Sequence, residues 1–366
     1  MRILILTKHL HLGGISRYVV NLAKGLKGKN CDIVVASSGG TLTTELLRHN
    51  ISHITVPINT KSIFSPGVAR SILILMRYLK KHKIDIIHSH TRVTSFIGNL
   101  LSGLLKTSHI TTVHGIYKKK LLRKIFPFLS EQIIAVSFET KRRLQKWEGI
   151  PESRIKVVPN AVDVDYFLTY PYTKYEVREK LNLNQDAFIL GNISRIEKIK
   201  GQEILLQAFM ELGKVIRNLK LIFVGEGKNK PQLQTLVEKM GMRGDILFLG
   251  EQTDVRPFFR AMDVFCFTPY EEPFGIVILE AMAMGVPLVA TRVSDIPIIT
   301  ENGNCALLIS PGNIEQLKTA VLELYQNPHK KEALILKGLR RVKEVYSLPR
   351  LIEDMLEIYQ RVLKNA

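Results

Sequence analysis

Cysteine is scarce in this chain, with three among 366 residues. Cys31, Cys266 and Cys305 are odd in number and far apart, and each lies in an apparent strand or at its end. That argues against a disulfide framework and against a zinc site, and leaves buried free thiols. Long apolar runs are missing too. Ser71 to Met76 and Phe96 to Leu105 fall well short of the ~20 residues that a membrane-spanning helix needs. The opening Met1-Arg2-Ile3-Leu4-Ile5-Leu6-Thr7-Lys8 reads as one short strand interrupted by lysine, not as a signal peptide. The expectation is a cytoplasmic protein, peripheral at most on the cytoplasmic face of a membrane. There is no internal repeat and no low-complexity tract. Gly225-Glu226-Gly227 lacks the third glycine of a dinucleotide fingerprint, and the first strand is not followed by one either.

Acidic residues are short in one half only. Up to Leu168 there are 26 Lys and Arg against 9 Asp and Glu, a balance of +17, whereas from Thr169 onward 26 against 24 leaves +2. Such asymmetry implies an anionic partner for the N-terminal half. The densest stretch, Lys118-Lys119-Lys120-Leu121-Leu122-Arg123-Lys124-Ile125-Phe126-Pro127-Phe128-Leu129, interleaves basic and apolar residues. It fits an anionic membrane surface as well as a solvated helix with its apolar side in the core, and Lys141-Arg142-Arg143-Leu144-Gln145-Lys146-Trp147 tips the reading towards the membrane. Nucleic acid is not expected, because the basic half shows neither a recognition-helix pattern nor interleaved aromatics.

Short apolar runs alternate with longer amphipathic stretches from end to end, the pattern of βαβ units and parallel sheets. Strands are expected at Ile3–Leu6, Asp32–Ser37, Ile54–Val56, Ile86–His88, Ile110–Val113, Ile133–Val136 and Lys156–Val158. A second series follows at Phe188–Asn192, Leu221–Val224, Ile246–Phe248, Val264–Phe267, Leu288–Ala290 and Leu307–Ile309. The stretch Pro159 to Phe167 and the tyrosines up to Tyr175 form the natural linker. The expected division is a domain over 1–168, a second over 169–346, and a C-terminal helix over 347–366 that packs back on the first. The fold class is α/β.

In open parallel sheets ligands bind beyond the carboxyl ends of the strands, and the polar clusters fall there. Gly13-Gly14 follows the first strand and gives a flexible backbone with exposed amides. His114 follows Val113 at a βα junction before Gly115. His88 and His90 resemble a metal pair without a third ligand, so no metal is assigned to them. Asp163-Val164-Asp165 sits in the linker without flanking strands and is not read as a metal motif. Arg195, Lys198 and Lys200 stand ahead of Gly201 and a helix start. Cations at that positive end need an anion to be stable there, and a diphosphate would supply it for Arg195 and Lys200.

The segment Glu272-Pro273-Phe274-Gly275-Ile276-Val277-Ile278-Leu279-Glu280 is the most informative. Pro273 marks a helix start, Gly275 lets a ligand approach the backbone, and Ile276 to Leu279 packs inward. Eight helical steps of ~1.5 Å would set the two glutamates roughly 12 Å apart. That exceeds the about 5–9.5 Å used by paired-carboxylate hydrolases and suits the two ends of a nucleotide-sugar with its phosphates between.

The ordered set of these motifs, with Val157-Val158-Pro159-Asn160-Ala161-Val162-Asp163 and Val224-Gly225-Glu226-Gly227, resembles the family 4 glycosyltransferases of the GT-B fold over nearly the whole chain. The Glu272 to Glu280 segment is similar to that family's E-x7-E motif. The resemblance implies two Rossmann-like domains facing across a cleft, the acceptor on the first and the nucleotide-sugar donor on the second. It implies that Glu280 binds the ribose, and that Glu272 with the backbone of Phe274, Gly275, Ile276 and Val277 holds the sugar. Arg195 and Lys200 hold the diphosphate, with Gly225 nearby, His114 meets the sugar, and Gly13 and Gly14 lie near the phosphate. It further implies transfer with retention of configuration, without metal or other cofactor, from a UDP- or GDP-sugar to a glycan or lipid-linked acceptor. Cell-surface polysaccharide or lipopolysaccharide synthesis would be the setting. Ile298 replaces a common glutamate and Ala306 a common glycine, which makes the donor-side loop less predictable. The rival readings are another GT-B-like enzyme, an epimerase or phosphorylase, and a non-catalytic anion- or membrane-binding protein.

Overall fold

The computed structural model describes residues 1–115, 129–242 and 244–364. The basic stretch from Lys118 to Phe128 therefore lies outside the described residues. The chain forms two compact units, one of Met1–Ala161 together with the residues from Leu348 onward, the other of Val162–Ser347.

In the first unit the strands are β1 (Arg2–Leu6), β2 (Asp32–Ser37), β3 (Ser52–Thr55), β4 (Ile86–Ser89), β5 (Ser108–Val113), β6 (Gln132–Ala135) and β7 (Ile155–Val157). They form a parallel sheet in the order β3-β2-β1-β4-β5-β6-β7. Both faces are covered, so β1 reads as an unbroken apolar run: Ile3 and Ile5 enter one core cluster, Leu4 and Leu6 the other. Helix Leu348–Lys364 lies against helix Gly14–Gly28. Gly25 makes this approach possible, since a Cβ there would meet Cγ1 of Ile352 at 2.4 Å.

The second unit holds β8 (Phe188–Ile193), β9 (Leu219–Val224), β10 (Ile246–Phe248), β11 (Val264–Phe267), β12 (Leu288–Thr291) and β13 (Leu307–Ile309). Their parallel order is β10-β9-β8-β11-β12-β13. In each sheet the winding reverses beside the first strand of its series, between β1 and β4 and between β8 and β11. The carboxyl ends at those reversals are where this architecture binds ligands.

The division falls at Ala161, not at Leu168. Val162 pairs with Ser347 in an isolated bridge, its N–H donates to the Tyr346 carbonyl at 2.9 Å, and the side chains of Val162, Val164 and Phe167 are buried in the core of the second unit. Residues 162–168 are thus anchored structure and not linker. Asp163 acts as the N-cap of helix Val164–Leu168, its Oδ1 accepting from the Tyr166 N–H at 3.2 Å. With this boundary the first unit has 29 Lys and Arg against 10 Asp and Glu and the second 23 against 23, so the first unit carries the whole net charge of +19.

Candidate functional site

In the second unit the loop after β8 is built by a chain of buried amide and hydroxyl groups. Asn192 Nδ2 donates to the Cys266 carbonyl at 2.7 Å, and Ser194 Oγ donates to Asn192 Oδ1 at 2.8 Å. Gln202, 2% exposed, donates through Nε2 to Ser194 Oγ at 2.8 Å and to the Arg195 carbonyl at 2.9 Å. Helix Gln202–Gly213 thereby reaches back and holds the backbone of Arg195. Sequence reading passed over Asn192 and Gln202, because an amide inside an apolar period carries no signal until its neighbours are known. Close backbone contacts lock the loop further. Gly201 has φ +64° and a Cβ there would lie 2.2 Å from the Thr268 carbonyl oxygen; one at Gly225, φ +137°, would lie 2.1 Å from that of Ser194. The N–H of Gly225 donates to the Gly250 carbonyl at 2.7 Å, so this glycine contributes packing and its amide is engaged within the protein.

This loop brings Lys200 to Glu272. Nζ of Lys200 donates to Oε2 of Glu272 in an ion pair whose side chains are 12% and 11% exposed. Arg195 does not join them: it is 72% exposed and its Nη1 pairs with Glu197 Oε1 at 2.8 Å. One predicted cation is therefore built into the fold and the other stands free to move.

After Glu272 the chain turns through Gly275, φ +88°, and helix Ile276–Ala283 begins without a side-chain cap. The helix start is four residues later than the spacing argument assumed. Residues 272–275 are not helical, so eight uniform helical steps do not connect Glu272 to Glu280 and the 12 Å estimate does not apply. The left-handed Gly275 and the preceding Pro273 are what delay the helix. Phe274 is 4% exposed and packs edge-on to Tyr346, so its side chain belongs to the core and only its backbone faces the turn. Ile276 and Val277 open the helix, and their N–H groups are of the kind left without intrahelical acceptors. Glu280 is partly exposed in the second turn. Ile298 is 41% exposed and Ala306 fully buried, so the second substitution is accommodated by packing.

In the first unit Gly13, φ +146°, caps helix Gly14–Gly28 without a side-chain bond, and a Cβ on either glycine would meet nothing within 4 Å. The space beside these two glycines is open. Across the reversal, β4 and β5 carry an imidazole cluster. His88 is fully buried, with Nδ1 2.7 Å from Tyr359 Oη and Nε2 2.7 Å from Thr112 Oγ1. His90 Nδ1 is 2.9 Å from His114 Nε2. His109 bridges Ser89 Oγ at 2.8 Å and Asn99 Oδ1 at 2.7 Å. Burial drives all four imidazoles towards the neutral form: the pKa values of His88 and His90 fall well below the ordinary range, and those of His109 and His114 fall to about 3. Among the described residues no group of three or more His, Cys, Asp or Glu is arranged to hold a metal ion. Sequence reading singled out His88, His90 and His114 but not their link to Tyr359, which lies some 270 residues away along the chain.

Of the two basic stretches singled out in the sequence, only Lys141 to Trp147 lies wholly among the described residues. On helix Phe138–Glu148, Arg142 and Arg143 both pair with Glu139, Lys141 pairs with Glu152, and Arg143 lies over the Trp147 ring at 4.6 Å. The charges of this stretch are thus largely satisfied internally. Helix Pro66–Lys81 instead exposes Arg70, Leu73, Arg77, Lys80 and Lys81, and just ahead of it Phe64 is 90% exposed. No described helix is long and apolar enough to cross a membrane.

Residues 12–166 match the family model described as Glycosyltransferase Family 4, and residues 173–341 match that of Glycosyl transferases group 1. The capsular polysaccharide biosynthesis glycosyltransferase CapM of Staphylococcus aureus is 25% identical over 98% of this chain and 98% of its own. A glycosyltransferase from Rickettsia africae superimposes with a TM-score of 0.87 at 24% identity, covering 100% of this chain and 99% of that one. HepE of Anabaena in complex with UDP and glucose superimposes with a TM-score of 0.86 at 22% identity, covering 98% and 99%. With both halves matched in order and the two parallel sheets superimposing on GT-B enzymes, the chain belongs to glycosyltransferase family 4 and is a glycosyltransferase of the GT-B fold.

Proposed function

We propose that the protein moves a hexose or N-acetylhexosamine from a UDP-sugar to a glycan or lipid-linked acceptor, with retention of anomeric configuration. The observation that carries this reading is the Lys200–Glu272 ion pair set just ahead of the uncapped helix Ile276–Ala283. A carboxylate four residues ahead of free helix amides, with a cation paired to it, is what a sugar diphosphate requires: the amides and Lys200 attract the phosphates, and Glu272 accepts from sugar hydroxyls. Arg195, exposed and paired with Glu197, is available to swing onto the diphosphate. As the leaving group departs, charge develops on its phosphate oxygen, and preorganised cations stabilise that charge more than they stabilise the ground state. The departing oxygen would take the acceptor proton from the same face. Glu280 is assigned to the ribose, His114 to the sugar, and Gly13 and Gly14 to close phosphate approach. No step is assigned to a metal ion, so activity should persist in a chelator.

Uridine is favoured because HepE is described in complex with UDP and glucose. A surface-glycan acceptor is supported by the name of the CapM relative and by the confinement of the net charge to the first unit, whose exposed Phe64, Leu73 and basic side chains suit an anionic lipid surface. The test is thermal stabilisation across a panel of UDP-, GDP- and ADP-sugars, followed by product analysis with candidate acceptors. A ligand that binds only the folded state at a hundred times its Kd adds about 2.7 kcal/mol. A panel in which no activated sugar raises the melting point would overturn the reading.

A further inference from the structure

We propose that His90 is a positioning residue that fixes the proton of His114 on Nδ1, so that His114 presents an N–H donor, and not a lone pair, to a substrate oxygen; this rests on the assignment of His114 to the sugar. The two rings are joined by one hydrogen bond, His90 Nδ1 to His114 Nε2 at 2.9 Å. Both rings are neutral, since burial disfavours their protonated forms. One proton therefore occupies this contact, and it belongs to one ring or the other.

The rest of His90 decides which. Its Nε2 is buried without a hydrogen-bond partner, and the residue is 1% exposed. If His90 carried its proton on Nε2, a buried N–H would have no acceptor, which costs the full desolvation of a donor. An unpaired buried N–H is also rarer than an unpaired acceptor. If the proton is on Nδ1, it is donated to His114, and only a lone pair remains buried. The second arrangement is favoured. It makes His114 Nε2 the acceptor and leaves its proton on Nδ1. That nitrogen has no partner among the described residues, and His114 is half-buried, so the nitrogen can meet a ligand.

The neighbours hold the pair in register. Tyr18 packs edge-on to His114 at 4.7 Å between ring centroids and tilts against His90 at 5.6 Å. His88 lies 4.2 Å from His90, itself held between Tyr359 and Thr112. The C-terminal helix thus contributes, through Tyr359 and His88, to the ring on which the tautomer of His114 depends. A neutral N–H donor stabilises a partial negative charge on a sugar oxygen without requiring a cation in an apolar surround.

The experiment uses the full-length protein with ¹⁵N-labelled histidine, and reads the His114 ring by two-bond ¹H–¹⁵N correlation, with the resonances assigned by their loss in His114→Gln. In the unsubstituted protein we expect the protonated ring nitrogen at Nδ1. His90→Asn places an amide N–H near the former Nδ1 and should keep that tautomer and most of the turnover. His90→Asp offers only an acceptor, should move the proton to Nε2, and should lower kcat by about tenfold or more while leaving UDP affinity unchanged, since a lost transition-state hydrogen bond of about 1.4 kcal/mol is a factor of ten. A His114 proton found on Nε2 in the unsubstituted protein overturns the proposal while leaving the enzyme reading intact, and it needs no variant to fold. Equal kcat in His90→Asn and His90→Asp, both folded, also overturns it. If no UDP-sugar supports transfer but the proton shifts as described, the proposed donor reading fails and the His90–His114 assignment stands.

Discussion

Removing one member of the Lys200–Glu272 pair should cost much more than an ordinary surface substitution. Both side chains are nearly buried, at 12% and 11% exposure, so either one left alone is a desolvated charge without its partner. Breaking such a pair costs about 3–5 kcal/mol when fully buried, and a little remaining solvent access puts this one at the lower end, about 3 kcal/mol. In a domain of 150–250 residues that is a fall in Tm of roughly 6–12 °C. Lys200→Met and Glu272→Gln should each show it in chemical and thermal unfolding. The double variant should regain at least half of the summed loss, because no unpaired charge remains; the cycle then gives a coupling of about 3 kcal/mol. Ligand binding separates the two singles. In Glu272→Gln the ammonium is free to meet a diphosphate, so UDP should raise Tm at least as far as in the unsubstituted protein, whereas in Lys200→Met most of that rise should vanish. Single losses that simply add within about 0.5 kcal/mol, or equal stabilisation of both variants by UDP, would refute the reasoning.

Arg195→Ala should leave stability within about 0.5 kcal/mol, as its pair with Glu197 is exposed, yet lower turnover by about 10²–10³ if it stabilises the leaving group; unfolding curves and initial rates on one preparation check both. The first unit should be acid-sensitive. Its buried histidines have pKa values lowered on folding, so their contribution is complete above the unfolded value near 6.5 and is lost as pH falls towards about 3; for His109 and His114 the loss at pH 5 is about 2 kcal/mol each. Hydrogen exchange at pH 7 and pH 5 should therefore show β4 and β5 losing protection before β8 and β11, and uniform loss across both units would contradict this. Sedimentation with vesicles should show binding to anionic but not to neutral lipid, reduced by Phe64→Ser with Leu73→Ser and abolished in high salt; equal binding to both vesicle types would remove the case for this surface.

The strand series, the α/β class and the placing of the polar motifs at strand ends were legible in the sequence. Buried parallel strands such as Ile3–Leu6 are short, continuous apolar runs whose carboxyl ends are followed at once by glycine or polar residues. These are local properties of the chain, and they place Gly13, His114, Arg195 and Glu272 after the carboxyl ends of strands without any knowledge of packing. The motif order, read with them, was enough to point to the family.

Tertiary structure decided what depends on residues far apart along the chain. The ion pair joins positions 200 and 272, His88 bonds to Tyr359, and Gln202 folds back on Arg195; no local pattern shows which polar groups find each other once the backbone is fixed. Residues 162–168 look like a linker because they are short and mixed, but Val162 and Phe167 enter a core assembled from later elements. Gly275 read as a point of ligand approach, and only its left-handed φ revealed that the helix waits until Ile276. Local periodicity determines which segments form strands and helices, whereas burial and pairing determine which of their charges remain, which are neutralised, and on which nitrogen a proton rests.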